Sequence, residues 1–127
     1  ANTDFPDATC NNKSEAQGNA VYVVDADTGA RLWWASSTGA STNNANMTHS
    51  IVSRISTIDR DGDGLVDHLY FGDLGGQVFR ADLNNSPGTT TANFGKRVVR
   101  LANLATTPAG AALAARTHGL KVRCSAD

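Results

Sequence analysis

Nine residues, Asp59-Arg-Asp-Gly-Asp-Gly-Leu-Val-Asp67, narrow the choice of fold more than any other stretch of this chain. They carry four carboxylates, two glycines and one Arg. So many like charges repel one another in a packed interior, so the segment belongs in a loop unless a cation sits among them. Its flanks are of another kind. Ser50–Ile58 alternates Ile51, Ser53 and Ile55 with Val52, Arg54 and Ser56, and His68-Leu-Tyr-Phe-Gly72 is rich in aromatic and large apolar residues. Both read as strands, so the acidic loop joins two strands and not two helices.

The same grammar runs through the middle of the chain. Asn19-Ala-Val-Tyr-Val-Val24 and Ala30-Arg-Leu-Trp-Trp-Ala35 flank the turn Asp25-Ala-Asp-Thr-Gly29 and read as a hairpin. After His68–Gly72 the chain turns at Asp73-Leu-Gly-Gly76 and returns as Gln77–Leu83; a further strand follows at Lys96–Leu101. Residues 1–18, 36–48 and 84–93 are polar and loop-like. Thr107 as cap, Pro108 at the first helical position, an Ala-rich run and Gly119 predict one short helix, and Leu120–Cys124 a last strand. Tyr22…Asp25…Gly29…Trp33 is echoed by Tyr70…Asp73…Gly76…Phe79, with the tyrosines 48 positions apart. That spacing is close to the roughly 40–50 residues of a β-propeller blade, although two hairpins sharing turn chemistry produce the same echo.

At 127 residues the chain amounts to one domain or a part of one. Eleven basic against twelve acidic residues leave no surplus for counterion release, so a nucleic-acid partner is not expected. No apolar run approaches the roughly 18 residues of a membrane span, and Ala1-Asn-Thr-Asp4 shows no signal-peptide pattern. Abundant Asn, Thr, Ala and Gly with scarce Lys fit a secreted or surface protein. Cys10 and Cys124 are too far apart for a CxxC motif. A disulfide between them would close a loop worth on the order of 4–5 kcal/mol; two buried thiols, or partners elsewhere in a longer chain, are the alternatives.

Chemically, only the acidic loop is specific. D-x-D-x-D-G matches the first half of an EF-hand calcium loop, with the Leu65 carbonyl at the seventh position. The twelfth position is Tyr70 in place of the usual Glu, so Asp67 at position nine must close the cage. The candidate ligands are Asp59, Asp61, Asp63, the Leu65 carbonyl and Asp67. Oxygen donors without His or Cys select Ca²⁺ over zinc or copper, and Mg²⁺ prefers to keep its waters. A solvated acidic turn is the plain alternative. His49, His68 and His118 lack zinc-protease spacing, Gly95-Lys96 is not a phosphate loop, and no GxSxG elbow exists, so no catalytic residues and no enzymatic activity are expected. Trp33 and Trp34 face opposite sides of their strand, so at most one is core, and the other packs within the sheet or, as the alternative, stacks on a sugar or a partner.

Val21–Trp34 resembles a quinoprotein-type propeller hairpin. Together with Arg54–Leu83 it resembles the C-terminal β-propeller of type IV pilus tip-associated adhesins, the PilY/PilC group, over about residues 19–104. The resemblance implies a mainly β, propeller-like chain in which residues 1–18 are a loop, 19–104 blade-like strands and 105–127 a helix and terminal strand. It implies a piece of a larger secreted protein at the pilus tip or bacterial surface, acting in adhesion, pilus biogenesis and twitching motility. Its partners would be minor pilins, other parts of the parent chain, or a host or surface receptor, and its calcium loop would regulate pilus extension and retraction. The same loop motif is similar to integrin-like FG-GAP repeats, where calcium is structural. The hairpin is also similar to quinone-cofactor dehydrogenases, whose cofactor pocket needs more chain than is present here.

Overall fold

The computed structural model describes residues 17–84, 86 and 88–104. Cys10, Cys124, His118, the 107–119 helix, the 120–124 strand and nearly all of the N-terminal loop expected from the sequence lie outside the described residues. Within them the chain is mainly β. Strand β1 (Val21–Val24) and strand β2 (Arg31–Ser36) form an antiparallel hairpin, and β3 (Thr42–Asn43) pairs parallel to β2. Strands β4 (Ser56–Ile58), β5 (His68–Gly72), β6 (Gln77–Leu83) and β7 (Gly95–Asn103) form a four-stranded antiparallel sheet in chain order. A single 3-10 turn, Thr91–Asn93, precedes β7.

The two hairpins reverse by the same device, which is the physical content of the repeat seen in the sequence. Asp25 Oδ1 accepts the Asp27 and Thr28 amides, each at 2.9 Å, and Gly29 takes φ 72°. Asp73 Oδ1 accepts the Gln77 amide at 2.9 Å, and Gly76 takes φ 73°. A short carboxylate that bonds the backbone ahead of it, with Gly at the left-handed position, closes a turn without strain.

Side chains alternate across a strand, so each sheet offers one apolar face. Leu69 and Phe71 of β5, Phe79, Ala81 and Leu83 of β6, and Val98 of β7 share one buried cluster with Val21, Trp33, Ala35 and Met47. Phe71 and Phe79, directly opposite in the register, stack at 5.5 Å. Trp33, 1% exposed, links the two sheets: its Nε1 donates to Thr42 Oγ1 at 3.0 Å and its ring meets Phe94 at 6.3 Å. Gly95 is what lets β7 approach, since a Cβ there would lie 2.1 Å from Trp33 Nε1. Trp34 turns to the other face, as its position requires. It stacks on Tyr22 at 5.6 Å with an interplanar angle of 1°, and the Arg31 guanidinium carbon lies 5.1 Å from the Trp34 ring centroid.

The strand expected over Ser50–Ile58 is cut to its last three residues. Ser50 and Ile51 form their hydrogen bonds elsewhere: Ile51 N donates to Gly18 O, Leu74 N to Ser50 O, and the Ser50 hydroxyl to Gln17 O. Ser53 Oγ bonds both the carbonyl and the amide of Gly72. The segment thus bridges the two sheets before pairing as β4. The polar stretch 36–48, expected to be loop throughout, contributes β3, because Asn44 Nδ2 donates to the Val98 carbonyl at 2.8 Å and fixes this stretch beside β7. Among the described residues no helix is long and apolar enough to cross a membrane.

Candidate metal centre

The acidic loop spans the gap between β4 and β5 and is organised by its own carboxylates. Gly62 and Gly64 take φ 78° and 88°, a conformation that side chains disfavour, and this curls the backbone around Asp59. Asp59 Oδ1 accepts the Gly62 amide at 2.7 Å and Oδ2 the Gly64 amide at 2.8 Å. Asp61 Oδ1 accepts the Asp63 amide at 3.1 Å, and Asp63 Oδ1 the Leu65 amide at 2.8 Å. Asp67 closes the ring, its Oδ2 taking the Arg60 amide at 2.6 Å.

One oxygen each of Asp59, Asp61 and Asp67 fall within 4.8 Å of one another. These three of the candidate ligands are therefore brought together. Asp63 is not among them, and Leu65, exposed, meets the loop through its amide on Asp63. The Gly64 amide, with those of Gly62 and Asp63, holds the Asp59 carboxyl below its ordinary value of 3.8 against the opposing effect of desolvation. The same amides favour the ionised form of this carboxylate. The loop is also pinned to the sheet: Asp67 N donates to Ile58 O, and Leu83 N to Asp67 O, both at 2.8 Å.

Beside the loop stands a charged cluster that reading the sequence missed. Asp82, 7% exposed, lies opposite His68 on β5 and Arg97 on β7. Its Oδ1 meets His68 Nδ1 at 2.9 Å and Arg80 Nε at 2.6 Å, and its Oδ2 accepts from Arg80 and from Arg97 Nε. Burial pushes this carboxyl up, but the Arg80 and Arg97 hydrogen bonds, the Arg80 charge and the His68 contact outweigh it and hold the pKa at about 2. The sequence signal was Arg80-x-Asp82, two charges on one face of a strand whose other face is core. Only the register with β5 and β7 supplies the remaining partners. A second buried group, Asp73, bonds the Gln77 side-chain amide at 2.7 Å near His49, and Arg100 donates to Gln77 Oε1. Both knots hold strands together. In the second, the Thr48 hydroxyl lies 3.1 Å from His49 Nδ1.

Set against known proteins, the chain matches no family model, no curated protein and no solved structure.

Proposed function

We propose that this chain is a calcium-holding β module of a bacterial surface protein of the type IV pilus tip-adhesin kind, and not an enzyme. The observation that carries the metal part is the convergence of Asp59, Asp61 and Asp67 between β4 and β5, on a loop whose backbone is bonded to β4 and β6. Calcium takes six to eight oxygens in flexible geometry, which suits carboxylates and carbonyls spread along a curled loop. Asp63 and the Leu65 carbonyl complete the proposed ligand set by the D-x-D-x-D-G register. The four-stranded antiparallel sheet in chain order, preceded by a second hairpin with the same turn, supports reading the chain as blades of a larger propeller. The pilus assignment rests on the resemblance of residues 19–104. It carries with it adhesion, twitching motility, a pilus-tip or cell-surface location, and partners among minor pilins, the rest of the parent chain or a surface receptor.

A purely structural calcium, as in integrin-like FG-GAP repeats, is the second reading; the pinning of Asp67 to both Ile58 and Leu83 favours a staple. Calorimetric titration of the chain with Ca²⁺ tests the metal, with Asp59→Ala as control, and absence of heat from the wild type overturns it. Asp59→Ala in the parent protein then separates the two roles. Altered twitching with the fold intact supports regulation, whereas loss of the folded protein supports the staple.

A further inference from the structure

We propose that Asp61 and Asp63 are sites of slow covalent self-modification to isoaspartate, and that the Asp59 carboxylate holds this reaction in check. The chemistry is that of an Asp followed by Gly. The peptide nitrogen of the glycine attacks the side-chain carboxyl carbon of the Asp before it. A C–N bond forms, and the carboxyl's hydroxyl leaves with the amide proton as water. Water then opens the resulting succinimide ring at either carbonyl. Opening at the main-chain carbonyl leaves the peptide running through the side chain, so mass and charge are unchanged while the backbone gains one carbon. Of all the Asp residues in the sequence only Asp61 and Asp63 precede a Gly, and no Asn does.

The loop favours this reaction at both Asp-Gly steps. Residues 61–64 are all exposed, so water reaches the ring. A Cβ built on Gly62 or Gly64 would meet nothing within 4 Å, so no neighbouring group crowds either glycine. Each carboxyl also reaches across the glycine that follows it, which keeps it beside the nitrogen that would attack. Asp61 Oδ1 accepts the Asp63 amide at 3.1 Å, and Asp63 Oδ1 the Leu65 amide at 2.8 Å. One group opposes both steps. The Gly62 and Gly64 amides are the two that Asp59 holds, at 2.7 Å on Oδ1 and 2.8 Å on Oδ2. To attack, either nitrogen must break a hydrogen bond to a charged acceptor and give up its proton facing a negative charge, which disfavours the amide anion. Asp67, by contrast, takes the Arg60 amide, which belongs to neither step. No ligand enters this chemistry, and it stands whether or not the loop holds calcium.

The test warms the full chain at neutral pH in EGTA beside its Asp59→Ala, Asp67→Ala and Asp61→Glu/Asp63→Glu variants. Isoaspartate is read by electron-transfer fragmentation of the peptide that carries the loop, which separates the two isomers at equal mass. The wild type should accumulate it at position 61 or 63. Asp59→Ala should accelerate this by about tenfold, the order set by one hydrogen bond to a charged group. Asp67→Ala loosens the loop without freeing a glycine amide and should change the rate little. The double Glu variant should give no signal, because the longer side chain would have to close a larger ring. In urea the wild type should isomerise about tenfold faster than when folded, and at the same rate as Asp59→Ala, so the restraint is read even where that variant does not fold. No isoaspartate in the loop, a rate unchanged or lowered by Asp59→Ala, an equal acceleration by Asp67→Ala, or a folded wild type no slower than the chain in urea overturns the inference.

Discussion

Asp59 performs two tasks with one side chain. Its two oxygens accept the Gly62 and Gly64 amides, which shapes the loop, and one of them belongs to the converging trio. The Asp63 carboxylate accepts the next-but-one amide, that of Leu65. Asp59→Ala should therefore weaken calcium binding more than Asp63→Ala, although both remove a negative charge from the loop. Calorimetry on the two variants checks the order, and equal losses would mean that the loop's shape does not matter to affinity. Asp82 yields a prediction of different sign and range. Its folded pKa of about 2 lies below the ordinary 3.8, so its stabilisation is complete above the unfolded value and is lost as pH falls from about 3.8 through about 2. A gap of this size is worth about 2 kcal/mol. Urea midpoints measured down this range should fall, and Asp82→Asn should flatten that fall while lowering stability near neutrality, because Arg80 and Arg97 lose their counter-charge.

At the scale of elements, what joins the two sheets is a close approach and not a strand pair. Trp33 of β2 lies against Gly95 at the start of β7, with Thr42 of β3 bonding the indole. Gly95→Ala forces a methyl into the indole nitrogen and should cost about 1–3 kcal/mol, the usual range for overpacking. Denaturant unfolding reads this directly, and a neutral substitution would mean that the sheets can slide apart at no cost. This junction was not legible in the sequence, since nothing in Gly95-Lys96 announces a tryptophan nearby. The hairpins were legible, because Asp and Gly in their turns act locally through hydrogen bonds within five residues. The alternation of Ile51, Ser53 and Ile55 misled for the opposite reason. Its period is that of a strand, yet Ser50 and Ile51 are claimed by Gln17, Gly18 and Leu74, partners that no local pattern reveals. The acidic loop falls between the two cases. Its glycines and carboxylates made the curl readable, while the Asp82 cluster beside it depended on the register of β5, β6 and β7.

For the whole molecule, the loop, the Asp82 cluster and the core form a gradient of anchoring along one sheet. At its weak end is β4, an edge strand of three residues, all exposed, paired only to β5. At its strong end, Phe79 and Ala81 of β6 are fully buried and paired on both sides. The acidic loop leaves from β4 and returns into β5, and its Asp67 bonds Ile58 on one side and Leu83 on the other. A cation held by Asp59, Asp61 and Asp67 would therefore stabilise the weak end of the sheet selectively, because clustered charges that repel without it would then hold the strand ends together. Amide hydrogen exchange should show it. Adding Ca²⁺ should slow exchange over residues 56–69, where opening is local, and should barely change β6 or the β1–β2 hairpin, whose protection depends on the core. Global stability should rise as well, by about 2.7 kcal/mol at a hundredfold excess over Kd, if only the folded chain binds the ion. Protection spread evenly over both sheets would mean that the ion acts on the folding of the entire chain. No change over residues 56–69 would mean that the loop holds no calcium at all.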